Sequence, residues 1–148
     1  MTLKVSTGLR NKLLDTGPLR TIMAGGLIKI YSGTAPASAD DAIGGGNTLL
    51  CTVSVNSTGT GVTFDTTATN GTIAKNPSET WTGVNVAAGT ASFYRLVAAA
   101  DDGTSSATQA RIQGDIGLAG ADMNFTSTSL SLSATQTIDY YVVALTTL

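Results

Sequence analysis

Short runs in which apolar and polar residues alternate are the feature that most constrains this chain. Side chains in an extended strand point to opposite faces in turn, so a period of two indicates a β-strand. The clearest run is residues 90–98, where Phe93, Arg95 and Val97 alternate with Tyr94 and Leu96. Similar runs recur along the chain between Gly, Pro and Asn turn signals, and no long helical pattern separates them. We therefore predict an all-β fold, an antiparallel β-sandwich of jelly-roll type.

The predicted strands lie between these turn signals. They span residues 27–32, 47–56, 62–64, 72–74, 90–98, 109–117, 128–133 and 136–147. The run 90–98 is partly apolar on both faces, so we expect it to be central, and 109–117 returns beside it to form the central hairpin. In 128–133, Leu130 and Leu132 share one face and are expected to point into the core.

One helix is predicted, over residues 6–16, and it gives the fold a short N-terminal helical arm. Ser6 or Thr7 can cap its first turn. Leu9 and Leu13 lie on one face of it, since residues four apart are neighbours on a helix. Leu19, Ile22 and Met23 can add a second short turn.

The length fits a single domain, 1–148, which we divide into an N-terminal arm (1–26) and a β-sandwich body (27–148). Residues 1–31 carry five basic residues and one acid, a net charge of +4, whereas the remainder carries −6. The arm is then either a solvated helix or a basic element that attaches to an acidic partner. On the second interpretation, deletion of residues 1–20 leaves a folded body that attaches more weakly.

Residues 33–46 form a long loop with Pro36 and three consecutive glycines, and loops of this length are often functional. Together with the arm, this loop supplies the residues that we expect at a protein interface. The candidate interface residues are Lys4, Arg10, Lys12, Arg20, Thr34, Pro36, Asp40 and Asp41.

The composition points to a surface of small polar side chains. Charged residues are 12% of the chain, and the sequence holds 13 Ser and 25 Thr. Such a surface loses little side-chain entropy when it is covered by another protein. A solvated β surface has the same composition, so both interpretations stay open.

The residue types argue against catalysis and cofactor binding. The chain has no histidine, which removes the His-dependent triads and dyads and the commonest metal ligand. Cys51 is the one cysteine and is expected to be a small buried hydrophobe. Asp40-Asp41 and Asp101-Asp102 lack the spacing of a calcium loop and are expected to form turns. We expect no enzyme activity, no cofactor and no metal.

Other site assignments are structural. Arg95 is an awkward residue for a central strand, and Asp115 on the predicted partner strand is its candidate ion-pair partner. The scattered basic residues predict no nucleic-acid partner, and the N-terminal sequence predicts neither a signal peptide nor a membrane span. The single tryptophan, Trp81, is expected to fill the core.

Five segments resemble one family. They are GLRNKLL (8–14), IYSGTAPASADDAI (30–43), GTASFYRL (89–96), GDIGLAGADMNF (114–125) and SLSLSATQTIDYYVVAL (129–145). Together they are similar to small virion proteins of tailed bacteriophages, of the capsid cement or decoration type.

The resemblance implies a β-sandwich or jelly-roll that binds the outside of a capsid and covers the junctions between major capsid subunits. It implies the major capsid protein and further copies of the chain, as a homodimer or homotrimer, as partners. The protein would be made in the cytoplasm of the bacterial host and located on the virion surface. A tail or head–tail connector protein is the alternative, and a carbohydrate-binding sandwich that uses Trp81 is a more remote one.

Overall fold

The protein is described by a computed structural model over residues 3–145, and its fold is all-β and sandwich-like with a short N-terminal helix, as predicted. Two helices and twelve strands form the described part of the chain. In chain order they are β1 (Lys4–Val5), α1 (Thr7–Asp15), α2 (Leu19–Ile22), β2 (Leu27–Ser32), β3 (Thr48–Val55), β4 (Thr72–Ala74), β5 (Trp81–Val84), β6 (Gly89–Thr90), β7 (Phe93–Val97), β8 (Arg111–Gly117), β9 (Met123–Asn124), β10 (Ser129–Leu130), β11 (Thr135–Ile138) and β12 (Val142–Ala144).

One large sheet dominates the fold, in the order β1-β8-β7-β2-β3-β5-β11, and β9 pairs in parallel with the end of β8. The other pairings along this path are antiparallel. Two small two-stranded sheets, β10-β6 and β12-β4, complete the structure. The predicted central hairpin is confirmed, because β7 pairs with β8 and lies between β8 and β2.

The core lies against one face of the large sheet. Ile28, Ile30, Leu96 and Ile112 point into it from three adjacent strands and are fully buried. Burial of such side chains contributes about 1.5–3 kcal/mol each, which makes this layer the main source of stability.

A cluster of aromatic side chains fills the part of the core that lies near β11 and β12. Trp81 is fully buried, and its ring centroid lies 5.8 Å from Phe64 and 5.8 Å from Tyr141. The Trp81 indole Nε1 donates to Glu79 Oε2 at 2.7 Å, and the Tyr94 and Tyr141 hydroxyls are 3.3 Å apart. The prediction that Trp81 fills the core is confirmed.

The N-terminal segment is built into the body, so we now expect removal of residues 1–20 to unfold the protein, in contrast to the expectation from the sequence. Helix α1 begins where predicted, with Ser6 Oγ accepting from Leu9 N at 3.1 Å. Ser6 is itself fully buried and also bonds Gln109 O and Arg111 N. Leu9 is fully buried in the core, so removing this segment would open a large cavity.

Two predicted strands at the end of the chain differ from the structure. The predicted strand 136–147 is divided into β11 and β12, which pair with β5 and β4, and positions 146 and 147 lie outside the described residues. The predicted strand 128–133 is reduced to β10, because Ser133 turns the chain at φ 64°. Leu130 is buried as predicted, but Leu132 is 62% exposed.

Candidate protein contact surface

The loop 33–46 lies across the outer face of the large sheet instead of extending freely into solvent. One row of side chains at a common register crosses five strands on that face: Thr52, Lys29, Arg95, Gln113 and Lys4. Three of these five side chains are cationic. Backbone carbonyl groups of the loop lie over Arg95, Gln113 and Lys4, the last three members of this row. We call the loop together with the row the covered face.

Carbonyl oxygens of the loop accept hydrogen bonds from successive members of the row. Lys4 Nζ donates to Ala37 O at 2.9 Å, and Gln113 Nε2 donates to Pro36 O at 2.9 Å. Arg95 Nη1 donates to Asp41 O at 2.7 Å. Each bond carries a small net stabilisation, but leaving a buried donor unpaired would cost about 1–3 kcal/mol. The row therefore fixes the path of the loop.

The expected ion pair between Arg95 and Asp115 is corrected by these contacts. The strand register places Arg95 opposite Gln113, whereas Asp115 lies opposite Phe93. The buried Arg95 guanidinium donates to Gln113 Oε1 and to loop carbonyl groups, and burial lowers its pKa. Arg95 is a structural residue, as expected, but it acts through neutral acceptors.

A second buried arginine, Arg111, anchors two loops at once. Its Nε lies 2.5 Å from Asp101 Oδ2, an ion pair in which both side chains are almost completely buried. Its Nη2 donates to Thr104 O at 2.6 Å, and its Nη1 donates to Asp40 O at 3.2 Å. The loop 101–109 and the loop 33–46 are thus joined through one guanidinium, whose planar fork of donors suits several acceptors.

Asp40 joins the loop 33–46 to helix α1. Its carboxylate accepts from Thr7 N and from Thr7 Oγ1, both at 2.7 Å, at the start of the helix. The hydrogen bond from the Thr7 hydroxyl is the main reason that the pKa of Asp40 is below its ordinary value. Arg10 Nη2 donates to the same hydroxyl oxygen at 3.0 Å. Arg10 thereby belongs to the same junction.

Close contact of α1 with the loop 101–109 depends on a glycine. A side-chain carbon at Gly8 would lie 2.3 Å from the backbone carbon of Thr108, so only glycine fits there. Helix α1, the loop 33–46 and the loop 101–109 therefore form one continuous surface. We call it the composite surface.

The structure brings together some of the predicted interface residues and separates others. Arg10 and Asp40 bond Thr7 where α1 meets the loop 33–46. Lys4, Pro36 and Asp41 form bonds that hold the same loop to strands of the large sheet. Thr34 is exposed further along the same loop, where its carbonyl accepts from Asn47 Nδ2 at 2.8 Å.

Two of the predicted interface residues, Lys12 and Arg20, make no side-chain hydrogen bond or ion pair with another residue in the range 3–145. Arg20 lines a separate apolar groove of about 370 Å³ that also involves Leu13 and Leu145. These two cations do not join the composite surface through any described contact.

Sequence reasoning missed a pair of carboxylates at the end of β8. Asp115 N donates to Asp122 Oδ2 at 3.1 Å, and Asp122 N donates to Asp115 Oδ1 at 2.9 Å. Burial, and then the neighbouring Asp115 carboxylate, raises the pKa of Asp122. The two residues close the turn between β8 and β9. In the sequence each looks like an ordinary turn aspartate, so nothing there indicates that they form a pair.

The other residues considered as candidates are in structural positions. Cys51 is fully buried, and burial raises the pKa of its thiol to about 11, which confirms the prediction of a small buried hydrophobe. Trp81 offers no exposed ring face to a sugar, so it is not available as the stacking residue of the carbohydrate-binding alternative. Within residues 3–145 no group of three or more Cys, Asp or Glu side chains could hold a metal ion.

Comparisons with protein-family models, with curated proteins and with solved structures gave no match for this chain. None of the helices in the described part of the chain is long and apolar enough to cross a membrane. What the described residues offer for a functional interpretation is the geometry of the composite surface.

Proposed function

We propose that the protein is a structural virion protein that binds the outside of a phage capsid and cements neighbouring major capsid subunits. The observation that carries the proposal is the composite surface. It joins two segments that the sequence assigned to an interface, helix α1 and the loop 33–46, through the Asp40–Thr7 hydrogen bonds, and the Lys4–Ala37 hydrogen bond attaches the same loop to β1 just before the helix.

A fixed contact surface suits a cement protein. Two loops and a helix that are already held in place lose little further conformational entropy when a partner covers them. Many copies on a symmetric shell can each contribute a modest interface and together stabilise the particle. The Thr- and Ser-rich composition also favours such contacts, because short side chains are immobilised at small entropic cost.

Copy number in purified virions tests the proposal. Because a capsid interface recurs over the whole shell, we expect on the order of hundreds of copies per particle in a quantitative gel. Only a few copies would contradict the proposal and favour the tail or head–tail connector protein, which forms a small ring.

Matched charge reversals on α1 test the surface. Arg10 contacts the junction with Asp40 and Thr7, whereas Lys12 lies on the same helix without a side-chain bond to a described residue. Arg10→Glu is expected to reduce the bound fraction on shells that lack the protein, and Lys12→Glu is expected to leave it within about twofold. Equal binding by both variants and the unmodified protein would show that the shell contact lies elsewhere.

A further inference from the structure

A groove of about 640 Å³ separates the two ends of the large sheet. One wall consists of residues 122–127, which include β9, and the other consists of residues 135–142, which include β11. β9 pairs with β8 at one end of the sheet, and β11 is the last strand at the other. The sheet therefore approaches closure here and leaves a gap between its ends. We call this gap the open groove.

Within the wall formed by residues 135–142, β11 is a strand edge. Among the described residues, Thr135–Ile138 pair with β5 on one side only, and Val142 then begins the separate pairing with β4. No backbone hydrogen bond between described residues connects the other edge of β11 to the opposite wall. A four-residue strand such as β11 spans about 13 Å at ~3.3 Å per residue, which is enough to pair with part of an added strand.

The opposite wall is also only partly paired. β9 bonds to β8 at Ile116 and Gly117, and Phe125 N donates to Gly117 O at 2.8 Å. Thr126 follows with no hydrogen bond to another described residue, and its side chain is exposed. Among the described residues, β9 and β11 thus each present an edge without a strand partner to one space, and an extended polypeptide can pair with both.

The charges along the groove specify the kind of polypeptide. Its charged lining residues are Asp122 and Asp139, and both side chains are exposed. Tyr140 is 80% exposed beside them and can pack against the stem or the charge of a cationic side chain. No basic residue is among the described lining residues. A strand that carries lysine or arginine complements this lining.

We propose that the open groove takes an extended, lysine- or arginine-bearing segment of a partner protein as an added β-strand between β9 and β11. The added strand would pair with the free edge of β11 and bring its basic side chains near Asp139 and Tyr140, which follow that strand. This interaction uses residues outside the composite surface and does not depend on capsid attachment.

Peptides of seven residues test the proposal on the full-length protein. The probe alternates valine and lysine and carries a fluorescent label, and fluorescence anisotropy measures its binding. A peptide with glutamate in place of lysine tests charge. A lysine peptide with two valines replaced by proline tests strand pairing, because proline removes the backbone donor. We expect saturable binding of the parent peptide and at least about tenfold weaker binding of both others.

Two variants locate the binding. Asp139→Lys reverses a charge on the groove wall, and Thr126→Trp places a large side chain in the groove. Asp15→Lys and Thr67→Trp are the matched control changes at exposed positions outside the groove. We expect Asp139→Lys to weaken peptide binding about three- to fivefold, which is the usual size of the effect of one exposed charge. Thr126→Trp is expected to weaken peptide binding more. The two control variants are expected to bind like the unmodified protein.

Hydrogen exchange supplies the decisive readout. Peptide binding should slow exchange of backbone amides in 123–127 and 135–142 and leave those of β2 and β7 unchanged. Binding without protection of these amides, or equal binding of the proline peptide, would overturn the proposal in favour of simple charge attraction. Protection of 135–142 that rises with protein concentration in the absence of peptide would also overturn it, since a second copy would then occupy the groove.

Discussion

The covered face lies on the outer face of the large sheet, the open groove lies between its two ends, and the polar groups of the two regions are paired in opposite ways. On the covered face, arginine, glutamine and lysine side chains bind carbonyl groups of the loop 33–46 and hold it over the sheet. At the open groove, two partly paired segments face one another with no bond across the gap among the described residues. The hydrogen bonds of the covered face stabilise the fold. The open groove instead leaves backbone groups available to a partner.

The largest effect is expected from deletion of residues 1–20, which removes support from beneath the covered face. The deletion takes away β1, α1 and the buried residues Ser6, Leu9 and Leu19. A typical domain has only about 5–15 kcal/mol of stability, and the loss of two buried leucines alone costs several kcal/mol, so the truncated chain should not fold. Circular dichroism and a thermal melt would check this. The double variant Arg10→Ala/Leu14→Ser, at exposed helical positions, should retain a cooperative melt.

Arg111→Met should produce the next largest effect, because Arg111 joins the loop 33–46 of the covered face to the loop 101–109. The substitution leaves the buried Asp101 carboxylate without its cation. Breaking a buried pair in this way costs about 3–5 kcal/mol, which urea denaturation would measure. Arg20→Met removes an exposed guanidinium and should change stability by less than about 0.5 kcal/mol. A loss below 1 kcal/mol for Arg111→Met would show that the loops do not depend on this residue.

Asp40→Ala should have a smaller, pH-dependent effect on the covered face. The substitution removes two hydrogen bonds at the start of α1, which at neutral pH are worth about 1–2 kcal/mol. The pKa of Asp40 is lowered in the folded state, so its contribution is present above the ordinary value of 3.8 and is lost as the pH falls through the lowered value.

The difference in unfolding free energy between the unmodified protein and Asp40→Ala should therefore shrink below pH 4. Urea titrations at a series of pH values would measure it. Asp15→Ala removes an exposed carboxylate of the same helix and should change stability by less than about 0.5 kcal/mol at neutral pH. A constant difference down to the lowest pH would mean that Asp40 acts through packing instead of charge.

The smallest effect is expected at the open groove. Thr126→Trp adds bulk where space exists and should alter stability by less than about 0.5 kcal/mol. Ala39→Trp is the matched change on the covered face, where Ala39 is 1% exposed, and should cost at least about 1–3 kcal/mol. Thermal melts of the two variants compare the regions directly. Similar losses at both positions would mean that the groove is closed in solution.

The sequence predicted the parts of the fold that depend on local pattern. Period-two alternation located β2, β3, β7 and β8, and the Ser6 cap located the start of α1. The alternating pattern failed at Leu132, which is exposed because β10 has ended and the chain turns at Ser133.

The candidate site was predicted only in part, because its contacts join residues far apart in the chain. Asp40 and Thr7 were both in the expected segments, but nothing in the sequence indicates that the carboxylate caps the helix 33 residues away. Arg95 was assigned to Asp115 because opposite charges on adjacent strands are the simplest pairing. Backbone carbonyl groups carry no sequence signal, so the loop that binds Arg95 could not be identified as its partner.

The position of Trp81 gives the protein a natural optical reporter. It is the only tryptophan, it is fully buried, and it packs against Tyr141, which follows β11 on one wall of the open groove. Its emission should shift to longer wavelength when water reaches the indole ring. Displacement of the last strands should therefore be visible in the intrinsic fluorescence of the unmodified protein, without any attached dye.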